Sequence, residues 1–494
     1  MQSGALIFLV LLPLAASVPM LFGRNDRLTR MLTLMVTSVE FGITVLLYYM
    51  LTKPAKASGP WLMYVDTSWI PGYGIRFSLG MDGISMLMVT LSALLFMLSV
   101  LVSWRSITER VALFHFTLLV LEAGVMGVFL ATDLFLFYLF WEAMLIPMFF
   151  LIGVWGHGRR VYSAVKFFIY TVSGSLLMLL AIIGLYVIHG RQTGNYTFAL
   201  ESLSATTLDP ILAVILFAAF MLAFAVKVPL FPLHSWLPDA HTDAPTAGSV
   251  ILAGLLLKTG TYGMIRFAFP IFPQAAAALL PLIFAVGIIG VFYAALIASS
   301  QTDMKRLVAY SSISHLGLVA LGIAAWNDIS LSGATLQMVN HGVTTGALFI
   351  MVGMLDERAH TRDIAAYGGL WAKAPVFSAF LLLFILSSLG LPGLNNFAGE
   401  LLILTGLFRG HPILAAAAFA GMVATLIYLL RLAQKLLFGP AGSAAEIKDL
   451  SARELAIVIP LAVLVIVIGL YPKLLLGPIE GPVKAMVQAR GIIP

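Results

Sequence analysis

The sequence contains no cysteine among its 494 residues. That absence excludes cysteine-ligated iron-sulfur clusters, thiolate zinc sites, covalently attached c-type haem and disulfides. Charge is also scarce: Asp, Glu, Lys and Arg make up 10% of the residues, against roughly 25% in an average globular protein. So little polar surface cannot face water on every side, which excludes a water-soluble enzyme. No basic run is longer than the pair Arg159 and Arg160, and no polar stretch is long enough to fold as a binding domain, so nucleic acid is not an expected partner. A glycine-rich nucleotide loop, a Walker lysine and an HExxH zinc pair are all missing.

What the chain has instead is apolar length. Hydrophobic residues make up 61% of it and the mean hydropathy is +1.02, which at roughly 20 apolar residues per crossing leaves room for at most about 15 spans. Cutting at polar or Pro/Gly punctuation gives fourteen: 4–22, 31–51, 82–104, 112–131, 133–154, 162–188, 210–230, 244–269, 278–299, 303–325, 330–355, 374–408, 412–437 and 454–472. The expected fold is an all-α polytopic membrane protein surrounded by lipid. The first run is followed, not preceded, by Arg24, Arg27 and Arg30, the reverse of a secretory signal, so it reads as a retained helix. An even number of spans puts both ends on one face. Lys and Arg gather on the face reached after the odd-numbered spans, so the positive-inside rule makes that face cytoplasmic and both termini periplasmic.

Two spans are interrupted. The seventh ends in AVKVPLFPLHSWLPDAH, where Pro229, Pro232 and Pro238 each remove a backbone donor. The twelfth contains LGLPGLNNFAGE, with Pro392 between Gly390 and Gly393. Backbone breaks at membrane depth survive only where protein or water satisfies the freed groups. Spans 4 to 8 (112–269) and 9 to 13 (278–437) are nearly equal in length, and each break falls in the fourth helix of its set. An odd-numbered unit followed by its copy must re-enter from the opposite face, so two inverted five-helix repeats are expected. The chain then divides into 1–111, the two repeats, and 438–494.

Ionisable residues within spans are costly and mark ion or proton routes. Those near a span centre are Glu40, Glu122, Glu142, Lys227, Lys258 and Glu400, joined by His315 and His341. Glu142 lies among apolar and aromatic side chains in FYLFWEAMLIPMFF, where a structural carboxylate capped by a hydroxyl is the bland alternative. Lys227 stands two residues before the first proline of its break; a lysine snorkelling to the interface is the alternative there. Lys258 follows Gly248, Ser249, Ala253 and Gly254 and precedes Gly260, small residues that favour close helix packing and turn the ammonium into the bundle. His315 and His341, on consecutive helices, are either satisfied core residues or relay groups. Glu400 follows the second break, whereas Glu40 and Glu122 have no break beside them. His234 and His241 have no third metal ligand nearby and are read as ordering the loop that also carries Trp236 and Asp239. No cofactor or metal site is expected.

The long motif AFAVKVPLFPLHSWLPDAHTDAPTAGSVILAGLLLKTGTYG, with QTDMKRLVAYSSISHLG and LPGLNNFAGE, resembles the antiporter-like proton-channel subunits of respiratory complex I over nearly the whole chain. FWEAMLIPMFFLIGVWG and MDGISMLM single out one branch of that family. The resemblance implies fourteen helices and a proton path through Glu142, Lys227, Lys258, His315, His341 and Glu400. It also implies other membrane-arm subunits of complex I as partners, a bacterial inner membrane as the location, and redox chemistry carried out elsewhere in the complex. A subunit of a multisubunit sodium/proton antiporter, a quinone-binding redox subunit and a structural spacer are the alternatives.

Overall fold

A computed structural model of the chain describes residues 2–52, 60–440, 442–443 and 447–489. Residues 53–59 of the expected loop and 490–494 of the expected tail lie outside the described residues. Helices α1 (Gln2–Leu21) and α2 (Asp26–Leu51) precede a hairpin of β1 (Met63–Ile70) and β2 (Ile75–Met81). Then come α3 (Gly83–Ser106), α4 (Val111–Leu130), α5 (Leu134–Ala143), α6 (Leu145–Trp155), α7 (Arg160–Thr193), the short α8 (Leu200–Ser204), α9 (Pro210–Lys227) and α10 (Trp236–Asp243). The next span holds α11 (Thr246–Ile251), α12 (Leu257–Gly263) and α13 (Phe269–Ile271), joined by π-helical turns at Leu252–Leu256 and Met264–Ala268. It is followed by α14 (Pro273–Ser299), α15 (Met304–Ala324), α16 (Asp328–Ala359), the short α17 (Leu370–Lys373), α18 (Pro375–Ser388), α19 (Asn395–Gly410), α20 (Pro412–Leu437), α21 (Ala452–Leu470) and α22 (Lys473–Ala489).

Thirteen spans among the described residues are long and apolar enough to cross a membrane. They coincide with thirteen of the fourteen expected. The remaining one, 374–408, is divided into α18 with 14 residues and α19 with 16, each shorter than the roughly 20 residues of a full crossing. The sequence also understated three places. Span 5 is interrupted at Met144, because Pro147 brings no N–H for the Ala143 carbonyl and its ring crowds that turn. The expected loop contains an antiparallel hairpin whose register runs from Met63 opposite Met81 to Ile70 opposite Ile75. The expected tail contains α22, whose buried Leu475, Ile479 and Val483 repeat every four residues and form one apolar stripe.

The helices differ in how deeply they lie. The most apolar windows of α16 and of the Thr246–Ile271 span are 100% buried, while those of α2 and α20 are 28% and 33% buried. Polar side chains on the two inner spans must therefore find partners within the protein. Lys258 and His341 are on these spans.

Candidate functional site

The first break follows from the hydrogen-bond inventory. Pro229 has no N–H to offer the Ala225 carbonyl, so the Leu230 N–H reaches back five residues to that oxygen at 2.8 Å. The Val226 carbonyl is thereby freed and accepts the Trp236 indole N–H at 2.9 Å. Lys227, at the last turn of α9, is buried and its Nζ has no hydrogen-bond partner. The ammonium sits 5.2 Å from the Trp141 ring centroid and 5.7 Å from that of Phe167, within cation–π range of both. Its stem runs against Gly260 of α12, where an added Cβ would come to 3.1 Å from the Phe224 carbonyl and 3.2 Å from the Lys227 Cβ. Only glycine allows the two helices to meet there.

Glu142 stands next to Trp141 at the end of α5. It feels the Lys227 charge, and Tyr138 one turn earlier lies within its reach. The two opposite charges do not form a direct ion pair: no contact within 4.0 Å joins them, and Glu142 Oε1 has no partner. The aromatic faces occupy the place beside Lys227 instead. Glu142 is only half-buried, between Leu139 and Ile146, which are 41% and 54% exposed, so its carboxyl lies near the outer surface of the chain.

Lys258, His341, His315 and Glu400 form one series. The wide turn at Leu252–Leu256, in which the Leu257 N–H bonds to the Leu252 carbonyl, lets the Lys258 ammonium donate to the Ala253 carbonyl. Its Nζ is also 2.6 Å from His341 Nδ1. The His341 and His315 rings meet edge to face with centroids 5.8 Å apart. His315 Nδ1 is 3.3 Å from Glu400 Oε1, and its Nε2 is 3.4 Å from Ser388 Oγ. All four residues are buried. A void of about 10 Å³ between His315, Ser388, Glu400 and Thr425 approaches the space of a single water.

The second break holds the end of this series. Gly390 has φ +78 and Gly393 φ +91, the left-handed region that suits glycine. A Cβ on Gly390 would also collide with Glu400 Oε2. Around the break the structure adds polar groups that the sequence reading did not single out. Gln337 Nε2 donates to Glu400 Oε1 at 3.3 Å, Asn340 Nδ2 donates to the Asn395 carbonyl at 2.7 Å, and Ser387 Oγ donates to Asn395 Oδ1 at 2.5 Å. The Asn-Asn pair directly after a Pro-Gly break was the available signal.

Other titratable groups fall into place differently. His234 packs on Phe231 and Tyr293 and orders the loop, as expected. His241 goes further: fully buried and stacked on Phe349 at 4.4 Å, it has two unpartnered nitrogens within electrostatic reach of Lys258 and Lys305. Lys305, buried at the start of α15, donates to the Ala244 carbonyl at 2.5 Å. Beyond it a cleft of about 880 Å³ opens on the basic face, lined by His157, Arg160, Asp356, Glu357 and Arg362. Burial and the charge of Lys305 push the His157 imidazole below its ordinary value. Glu40 and Glu122 lie away from all of this, their carboxyl groups facing each other between α2 and α4 within side-chain hydrogen-bonding reach, with no partner from any other described residue.

A helical membrane protein with a buried lysine–histidine–carboxylate series between two interrupted helices belongs to the antiporter-like class. Residues 131–427 match the family model described as NADH:quinone oxidoreductase/Mrp antiporter, TM. NADH-quinone oxidoreductase subunit M of Pseudomonas aeruginosa is 50% identical over 427 residues, 85% of this chain and 84% of that one. Respiratory complex I from Thermus thermophilus with bound NADH contains a chain of the same fold, at TM-score 0.88 and 33% identity, covering 98% of this chain and 99% of that one. A chain of the Mrp complex from a Dietzia species matches at TM-score 0.86 and 20% identity, covering 99% and 98%, and shares the fold. The chain therefore belongs to the NADH:quinone oxidoreductase/Mrp antiporter membrane family, in the subunit M branch that the FWEAM segment singled out.

Proposed function

We propose that the chain is one proton-translocating unit in the membrane arm of a proton-pumping NADH:quinone oxidoreductase of the bacterial inner membrane. The observation that carries this reading is the buried series Lys258, His341, His315 and Glu400, each titratable and each within reach of the next. Protons enter from the basic face, taken as cytoplasmic, and leave past Glu400 on the face of the termini. Lys227 and Glu142 form the part that senses the drive. Closing their gap to about 4 Å at an effective dielectric near 20 is worth roughly 4 kcal/mol. Moving one charge through the membrane potential takes about 2.3 kcal/mol per 100 mV, so one such closure is on the right scale.

Glu142 also supports a partner. A half-buried carboxyl at membrane depth needs polar company, so a neighbouring membrane-arm chain covers this face. Redox chemistry belongs to other subunits, and this chain supplies no redox centre. The stretches 112–269 and 278–437 act as inverted units, a reading supported by an interrupted helix in fourth place in each. Copurification of partners with mass spectrometry, together with NADH-driven proton uptake in sealed membranes, tests the assignment. NADH dehydrogenase subunits and sodium-independent pumping are expected. Sodium-dependent transport without NADH oxidation would overturn the reading in favour of an antiporter.

A further inference from the structure

The face that carries the hairpin has a cleft of about 980 Å³ between α2, α22 and the adjoining loops. Asp82 and Arg266 line its inner side. Arg266 lies two helical turns beyond Lys258 on the same span, with Tyr262 between them, so about 12 Å of helix axis separates this cleft from the Lys258 site. A proton at Lys258 therefore has two exits in principle, onward to His341 or directly into the cleft. The second would short-circuit the first.

The hydrogen bonds at the cleft floor show why the short route is shut. Arg266 Nη2 is 2.5 Å from Asp82 Oδ2, and its Nε donates to the Tyr262 hydroxyl at 3.3 Å. The guanidinium lies over the Trp61 and Tyr262 rings at 4.9 and 5.4 Å. Asp82 Oδ1 accepts from the Ser85 N–H at 2.9 Å and from Ser85 Oγ at 3.1 Å. The Tyr262 hydroxyl donates to the Phe129 carbonyl at 2.9 Å and lies 3.1 Å from Ser85 Oγ, whose own proton is directed at Asp82 Oδ1. Asp82, Tyr262 and Arg266 are all buried. A proton wire needs groups that both receive and release a proton. Guanidinium is a donor that does not deprotonate, and the tyrosine proton points at a backbone carbonyl that cannot pass it on.

We propose that Arg266, Asp82 and Tyr262 form a proton-tight plug that seals the Lys258 site from the hairpin face, so that protons on Lys258 leave only through His341, His315 and Glu400. The hairpin follows the second span and so shares the face of the termini; the plug therefore sets the route of exit on that face, and it rests on the reading of Lys258 as a proton carrier. A purely structural ion pair would tolerate another cation. A plug would not, because a lysine ammonium, unlike guanidinium, gives up its proton when buried.

The test uses the assembled complex in sealed proteoliposomes, with assembly checked on native gels. Passive decay of an imposed pH gradient is measured without NADH, and proton retention is measured with it. Arg266→Gln and Arg266→Lys are expected to keep NADH:quinone turnover, to speed the passive decay and to lose part of the retained gradient. Adding Lys258→Met to either is expected to abolish the extra decay. Decay at the parental rate in both assembled Arg266 variants overturns the plug. Extra decay that survives Lys258→Met also overturns it, since the leak then bypasses Lys258. Parental pumping in Lys258→Met alone overturns the carrier reading, a separate result obtained without touching Arg266.

Discussion

Replacing Glu400 with glutamine preserves the shape of the site and removes its charge. In the structure Glu400 Oε1 lies 3.3 Å from His315 Nδ1 and accepts from Gln337 Nε2 at the same distance. Glutamine still offers a carbonyl to Gln337, so the packing around the break is expected to hold. What disappears is the attraction between carboxylate and imidazolium. At 3.3 Å and an effective dielectric near 20, that attraction is about 5 kcal/mol. If all of it appears in the barrier for loading His315, the rate falls by between three and four powers of ten, and even half of it is close to a hundredfold. Proton release and quinone-linked NADH oxidation are to be measured together in sealed membranes. The expected result is an assembled complex whose proton release has collapsed, with Glu400→Asp retaining part of it. Full coupled pumping in assembled Glu400→Gln would remove Glu400 from the path and refute the argument.

Further outcomes follow from other residues. Lys227→Ala is expected to abolish or strongly reduce pumping while the complex assembles, and Lys227→Arg to rescue it poorly because guanidinium stays charged; parental proton yield per NADH in Lys227→Ala would contradict the assignment. Gly390→Ala forces a side chain to φ +78 and against Glu400, so a loss of about 1 to 2 kcal/mol for the left-handed backbone should appear as a lower melting temperature. Asp449 accepts from the Val376, Phe377 and Leu450 N–H groups, and these with Arg358 outweigh partial burial and hold its carboxyl below the usual range. Its cap on α18, worth about 1 kcal/mol, is therefore present above the ordinary carboxylate pKa and lost as pH falls through the lower folded value, so melting curves of the parent and Asp449→Ala should converge in acid. The double variant Glu40→Gln with Glu122→Gln is expected to leave pumping at the parental level, since the pair lies off the buried series; a matched loss of pumping in assembled complex would place it on the path.

The spans were legible because each is a long apolar run bounded by punctuation, and Lys227, Lys258, His315, His341 and Glu400 stood out because charge or imidazole is rare within such runs. Their order in space departs from their order in the chain, because His341 is the histidine beside Lys258 and His315 the one beside Glu400. The distances were not legible. Lys227 and Glu142 have opposite charge on spans 7 and 5, yet the rings of Trp141 and Phe167 take the place of a carboxylate contact, which no spacing rule predicts. His241 was read as a loop residue because it follows three prolines. The chain refolds into α10 after the break and carries it inward. Glu40 and Glu122 are far apart in sequence, and only the packing of α2 beside α4 brings them together. The hairpin and α22 were missed because their apolar residues alternate with polar ones or line one face, so neither reads as a membrane crossing.

The position of α22 bears on the order in which the molecule is built. Its Pro478 carbonyl closes on Gly83 at the start of α3, the Tyr48 hydroxyl donates to the Leu474 carbonyl, and Gly477, Pro478, Pro482 and Met486 form one wall of the cleft above Arg266. This helix leaves the ribosome after every other described helix. Until it docks, α3 and the hairpin lack a wall, and the cleft is an open trough. The bundle can therefore insert and pack around Lys258 before α22 is made, but its hairpin face takes final shape only once α22 has docked, which makes that docking a late checkpoint in biogenesis.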